Sequence, residues 1–113
     1  MKAFAALAAA LTIALSRAFA ADGAKVFELV LAEGKVAGNN TLRVKRGERV
    51  ELRWSGDRST VLHLHGYDVE CAVSPGAPAA MVFKADLAGR FPVSEHRHGP
   101  GHHRAVLYLE VHP

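Results

Sequence analysis

A chain of 113 residues is the size of a single domain. Its 14 Lys and Arg against 11 Asp and Glu give a formal charge of +3, but Lys2 and Arg17 belong to an N-terminal segment unlike the rest. Without those two the balance is 12 against 11, too even for the electrostatic footprint of a nucleic-acid binder. The single cysteine, Cys71, excludes an intramolecular disulfide. A metal ion is then the staple left to a lone small chain, although many domains of this size fold unaided.

Met1-Lys2 is a minimal positive start, Ala3 to Leu15 is almost wholly apolar, and Ala18-Phe19-Ala20 is an A-x-A pattern. That order is the order of a secretory signal peptide, and the apolar run is shorter than the roughly 20 residues a bilayer-spanning helix needs. The expectation is a signal peptide over residues 1–20, cleavage after Ala20 and one exported, periplasmic domain over residues 21–113, with no membrane attachment afterwards.

From there the chain reads as short strands between turn signals. Val26 to Leu31 is a β-prone apolar run, and Gly34 and Gly38-Asn39-Asn40 punctuate the stretch after it. Thr41 to Lys45 alternates, Arg46-Gly47-Glu48 turns, and Arg49 to Trp54 alternates again, with Val50, Leu52 and Trp54 on one face. Thr60 to Leu64 is a further strand running into His65-Gly66. Tyr67 to Val73 reads as extended, Ser74 to Pro78 as a break and Ala80 to Phe83 as apolar strand. Arg90 to Glu95 is extended despite Pro92, which points to an edge position or a bulge. Gly99 to His103 reads as a loop, and Ala105 to Val111 alternates and closes the domain. About seven or eight short strands with regular turns, and no helical period, predict an all-β sandwich or barrel.

All seven histidines fall from His63 onward. His63 and His65 are two apart on a strand and so share a face, with Cα atoms roughly 7 Å apart. Alone, such a pair is ordinary surface. The second cluster, Glu95-His96-Arg97-His98-Gly99-Pro100-Gly101-His102-His103, places four histidines and a glutamate in one short stretch. A strand end running into a Gly/Pro loop can wrap such side chains around an ion. Imidazole suits copper, zinc, nickel and iron, and a carboxylate is compatible with several of these. Asp68 and Glu70 are candidates to accept from and orient His63 or His65, as bound histidines usually require. Tyr67 and Trp54 read as core. Ser94 beside His96 supports no triad, and the chain carries no phosphate loop and no CxxC pair, so no enzymatic activity is expected.

Gly89-Arg90-Phe91-Pro92-Val93-Ser94-Glu95-His96-Arg97-His98, together with the strand order and the histidine before Gly66, resembles the cupredoxins over essentially the whole chain after residue 20. The resemblance implies a Greek-key β-sandwich and a copper ion. In blue-copper members the Gly-x-aromatic strand leads to a cysteine ligand, then a histidine, then a methionine. Those positions fall here on Glu95, His98 and His103, and the family's earlier histidine on His65. The implied metal set is therefore His65, Glu95, His98 and His103, with His63, His96 and His102 as alternates.

Both sulfur positions are lost, so the set is all nitrogen and oxygen. It favours Cu(II), with zinc as the other candidate, and lacks the thiolate on which blue copper depends. Cys71 shares strand parity with His65 but lies six residues on, roughly 20 Å along an unbent strand, and reads as a small buried thiol. The resemblance implies a copper-binding protein that sequesters copper or hands it on, with a copper-exporting or copper-receiving periplasmic protein as partner. The alternatives are a thiolate-free electron-transfer module and a metal-free interaction domain. Because the ligands bind deprotonated, affinity is expected to fall on acidification.

Overall fold

The computed structural model describes residues 23–96 and 103–113, with nothing stated of the His103 side chain. The expected signal peptide, together with His98 and His102, therefore lies outside the described residues. Nine strands are present among the described residues: β1 (Lys25–Ala32), β2 (Lys35–Val36), β3 (Thr41–Lys45), β4 (Arg49–Gly56), β5 (Thr60–Leu64), β6 (Val69–Val73), β7 (Ala79–Lys84), β8 (Gly89–His96) and β9 (His103–His112). They form two sheets, β2-β1-β4-β7 and β3-β9-β8-β5-β6. The chain crosses repeatedly from one sheet to the other, so the all-β sandwich expected from the alternation is the observed fold.

Alternation decides what fills the space between the sheets. Leu29 and Leu31 of β1, Val50, Leu52 and Trp54 of β4 and Met81 of β7 face Leu62 and Leu64 of β5, Val93 of β8, and Leu107, Leu109 and Val111 of β9. Most of these are fully buried. Each such side chain contributes on the order of 1.5–3 kcal/mol by leaving water, and this interface is the main support of the fold.

Two local features depart from the reading of the sequence, apart from the two-residue strand β2, which it did not foresee. Pro92 sits in β8, a central strand between β9 and β5, and not at an edge. Nor is Pro92 itself in a bulge, since it pairs in register with Tyr108 and the irregularity begins after its neighbour Val93, in the partner strand. The register between β8 and β9 shifts after Val93, which pairs with Leu107 while Ser94 pairs with Ala105. Val106 is the extra residue, so Val106 and Leu107 are both buried.

The second departure is at the end of β5. The chain does not continue extended from His65 to Cys71. Gly66 (φ 91°) and Asp68 (φ 55°) turn it back, and β6 pairs antiparallel with β5, Leu64 opposite Val69 and Leu62 opposite Cys71. Glycine is required at residue 66 for two reasons: its φ is positive, and a Cβ there would collide with the Phe91 ring. Tyr67 seals the corner by packing on Phe83 and Phe91. Its hydroxyl donates to the Leu87 carbonyl at 2.7 Å and accepts from the Leu87 N–H at 3.0 Å.

Candidate metal centre

Register places the histidines. In antiparallel neighbours, directly opposed residues point to the same face. Leu62 opposes Glu95, and Leu64 opposes Val93, on the core side. His63 opposes Ser94 on β8 and Glu70 on β6, on the outer side. His65 and His96 share that outer side by their spacing of two from His63 and Ser94. The result is a row of imidazoles on the outer face of the five-stranded sheet. The His63 and His65 rings lie 4.4 Å apart, centroid to centroid, edge to face. His63 and His96 lie 5.6 Å apart and stacked.

An oxygen stands beside each Nε2. His65 Nε2 is 3.1 Å from Ser94 Oγ, His63 Nε2 is 3.5 Å from Asp68 Oδ1, and His96 Nε2 is 4.0 Å from Glu70 Oε1. Asp68 and Glu70 thus stand beside histidines, as their place in the sequence suggested. Glu70 reaches across β5 to the more distant His96. Ser94 was missed as a partner of His65. The signal available for it was its spacing of two from His96, which puts it on the histidine face. The buried His63 Nδ1 has no hydrogen-bond partner among the described residues, an orphaned nitrogen of the kind a metal ion or a water satisfies.

Glu95 lies elsewhere. Its carboxylate is buried on the core side at the start of β5, where it accepts from Thr60 Oγ1 at 2.9 Å and from Arg58 Nη2 at 3.5 Å. The structure thus brings His63, His65 and His96 to one face and places Glu95 on the other. His103 pairs with His96 through the backbone of β9. No group of three or more His, Cys, Asp or Glu stands ready to hold an ion among the described residues. The donor chemistry of the outer face, imidazole with carboxylate, nevertheless fits Cu(II) or Zn(II). Cys71 opposes Leu62 and so belongs to the core side, away from the row. It is half-buried, and desolvation raises its thiol pKa above the ordinary 9.0.

The overall architecture is shared with solved copper proteins. One match is a heme-copper terminal oxidase (TM-score 0.64, 23% identity, 80% of this chain and 67% of that one). A multi-copper oxidase from Pseudomonas Thermotolerans gives TM-score 0.62 and 23% identity over 79% of this chain, which spans only 29% of that protein. A copper binding protein solved in its apo form gives TM-score 0.61 and 12% identity, covering 79% of this chain and 88% of that one. The fold is cupredoxin-like. Neither a protein-family model nor a curated protein sequence matches the chain. No helix among the described residues of this cupredoxin-like domain is long and apolar enough to cross a membrane.

Proposed function

We propose that this cupredoxin-like domain is an exported copper-binding protein that sequesters copper or passes it to a partner protein in the periplasm, without itself catalysing a reaction. The observation that carries this reading is the row of three imidazoles, His63, His65 and His96, on one outer face. From the end of that row the chain continues directly into His98, His102 and His103. The cupredoxin-like fold and the copper named for its structural neighbours favour copper among the ions imidazole accepts. His63, His65 and His96 form the described part of the donor set, and His98, His102 and His103 are proposed to contribute to it. Glu95, whose carboxylate already has a guanidinium partner, is the weakest member of the ligand set implied by the cupredoxin resemblance. Cys71 on the core side leaves a nitrogen and oxygen site, which suits binding and release of Cu(II) better than blue-copper electron transfer.

The test is Cu(II) titration of untagged protein purified from the periplasm, with metal analysis beforehand. A variant with all six clustered histidines (63, 65, 96, 98, 102 and 103) changed to alanine is the reference. One copper per chain in the parent protein and none in the variant is expected. No binding by the parent, or equal binding by both, would refute the reading.

A further inference from the structure

The outer face of the five-stranded sheet does not end at the histidines. Alternation places Arg90 and Pro92 of β8 on the same side as Ser94 and His96. Register adds Tyr108, opposite both Pro92 and Thr41, and Glu110, opposite both Arg90 and Arg43. His112, opposite Lys45, follows at the end of β9. Among the described residues, this half of the face carries three permanent cations, Arg43, Lys45 and Arg90, and one carboxylate, Glu110. Both oxygens of that carboxylate are engaged. Oε1 is 3.2 Å from Arg43 Nε and 3.4 Å from His112 Nε2, and Oε2 is 3.5 Å from Arg90 Nε. One carboxylate cannot neutralise three cations, so positive charge is left over. Both guanidinium groups stay open to water, Arg43 73% exposed and Arg90 56% exposed. Asp68 and Glu70 stand at the far end of the face, beside His63 and His96.

Two features shape this charge for recognition. The Arg90 guanidinium lies over the Tyr108 ring, 4.0 Å from its centroid, which holds it on the sheet face. Arginine and tyrosine are residue types that carry much of the energy of protein interfaces. Glu110 also lines two open cavities, of about 480 and about 500 Å³, with Arg43 in the first and Arg90 in the second. A carboxylate entering either cavity meets a guanidinium, whose planar fork suits it.

Resting on the copper-binding reading, we propose that this basic half of the face is the docking surface for the protein that gives or takes the copper, and that the partner meets it with a carboxylate-rich surface. Position supports the assignment. The His65 N–H donates to the Pro92 carbonyl at 3.0 Å, and Pro92 opposes Tyr108. His65 and Tyr108 thus stand two strands apart, about 10 Å. A partner seated on Arg90 and Tyr108 therefore borders the histidine row. Charge of this kind steers encounter and fixes orientation more than it tightens a complex, which suits a partner that must leave after exchange.

The probe is hexaglutamate, titrated at low salt into the same untagged protein and followed by backbone amide chemical shifts, with Cu(II) affinity measured in parallel. Shifts are expected around Arg43, Arg90 and Tyr108 with hexaglutamate and none with hexalysine. The triple variant Arg43→Gln, Lys45→Gln, Arg90→Gln changes only exposed side chains, so the fold should hold. It is expected to weaken hexaglutamate binding roughly ten-fold and to keep the Cu(II) affinity of the parent. Glu110→Gln, which removes the one opposing charge, is expected to tighten hexaglutamate binding. Lys25→Gln with Lys84→Gln removes two exposed cations elsewhere on the molecule and is expected to leave it unchanged. Shifts spread over both sheets, or equal weakening by the two sets of cation variants, would show attraction by overall charge and overturn the docking surface while leaving copper binding intact. No copper bound by the parent protein would instead overturn the reading beneath it, whatever hexaglutamate does.

Discussion

The two outer faces of this sandwich carry charge in opposite ways. On the four-stranded sheet, Arg53 lies between Glu51 and Glu28 and bonds to both. The carboxylates, Glu51 foremost, raise the Arg53 pKa, and exposed Val26, Val30 and Val82 surround the group. A cavity of about 300 Å³ there is lined by Glu28, Glu51, Arg53 and Trp54 among others, with two carboxylates sharing one guanidinium. On the five-stranded sheet, the carboxylates of Asp68 and Glu70 stand 3.5 and 4.0 Å from the ring nitrogens of His63 and His96. A guanidinium carries its own positive charge and closes on a carboxylate without help. The lesson is one of partner: on the first face a guanidinium closes on its carboxylates, and on the second the carboxylates stand beside imidazoles at longer range.

The most severe way to break the comparison is at the turn that carries Asp68. Gly66→Ala puts a Cβ into the Phe91 ring and imposes a positive φ on alanine. The expected cost is about 3 kcal/mol of folding stability, read as a fall in thermal midpoint of roughly 15 °C. Loss of ordered β5–β6 pairing in hydrogen exchange should precede loss in β1–β4. A midpoint within a few degrees of the parent would show that the turn does not fix this face.

A smaller effect sharpens the contrast between the faces. Glu28→Gln removes one of the two carboxylates on Arg53. Being exposed, it should leave the thermal midpoint nearly unmoved and Cu(II) affinity unchanged. Copper binding that weakens with Glu28→Gln would mean that the two faces are not chemically distinct.

The smallest effect concerns Cys71. Burial raises its thiol pKa, so the folded state retains the proton longer than the unfolded chain. The associated stability is complete below the ordinary value of 9.0 and is lost as pH rises through the higher folded value. Urea unfolding of the metal-free protein between pH 8 and pH 10, on the order of the range where thiols titrate, should show a small decline that Cys71→Ser reduces. An identical decline in Cys71→Ser would mean that the thiol makes no contribution.

Alternation made most of the strands legible. Val50, Leu52 and Trp54, or Leu107, Leu109 and Val111, declare a buried face through their spacing alone, and both sets lie in the core. The shared face of His63 and His65 was legible for the same reason. The tight turn at Gly66 to Asp68 was not. Glycine after a strand permits either a bend or a continuation, and the Phe91 ring that requires the glycine lies 25 residues away in the chain. The side that Glu95 faces was legible, since alternation along β8 puts it with Val93 on the core side; what was hidden is that Thr60 and Arg58, 35 and 37 residues earlier, meet its carboxylate there.

By itself, then, the amino-acid order determined the strand periodicity, the apolar layers and the density of metal-binding side chains. Those are properties of residues a few positions apart, governed by side-chain alternation and solvent transfer. Which strands become neighbours, and in what register, was decided only in the tertiary structure. That decision set His63 and His96 side by side with Asp68 and Glu70, and buried Glu95 against Arg58 and Thr60. Its physical reason is that a shift of one residue between paired strands would turn every side chain to the opposite face. Only closure of the whole core around Trp54, Leu62 and Leu107 selects among the possible registers.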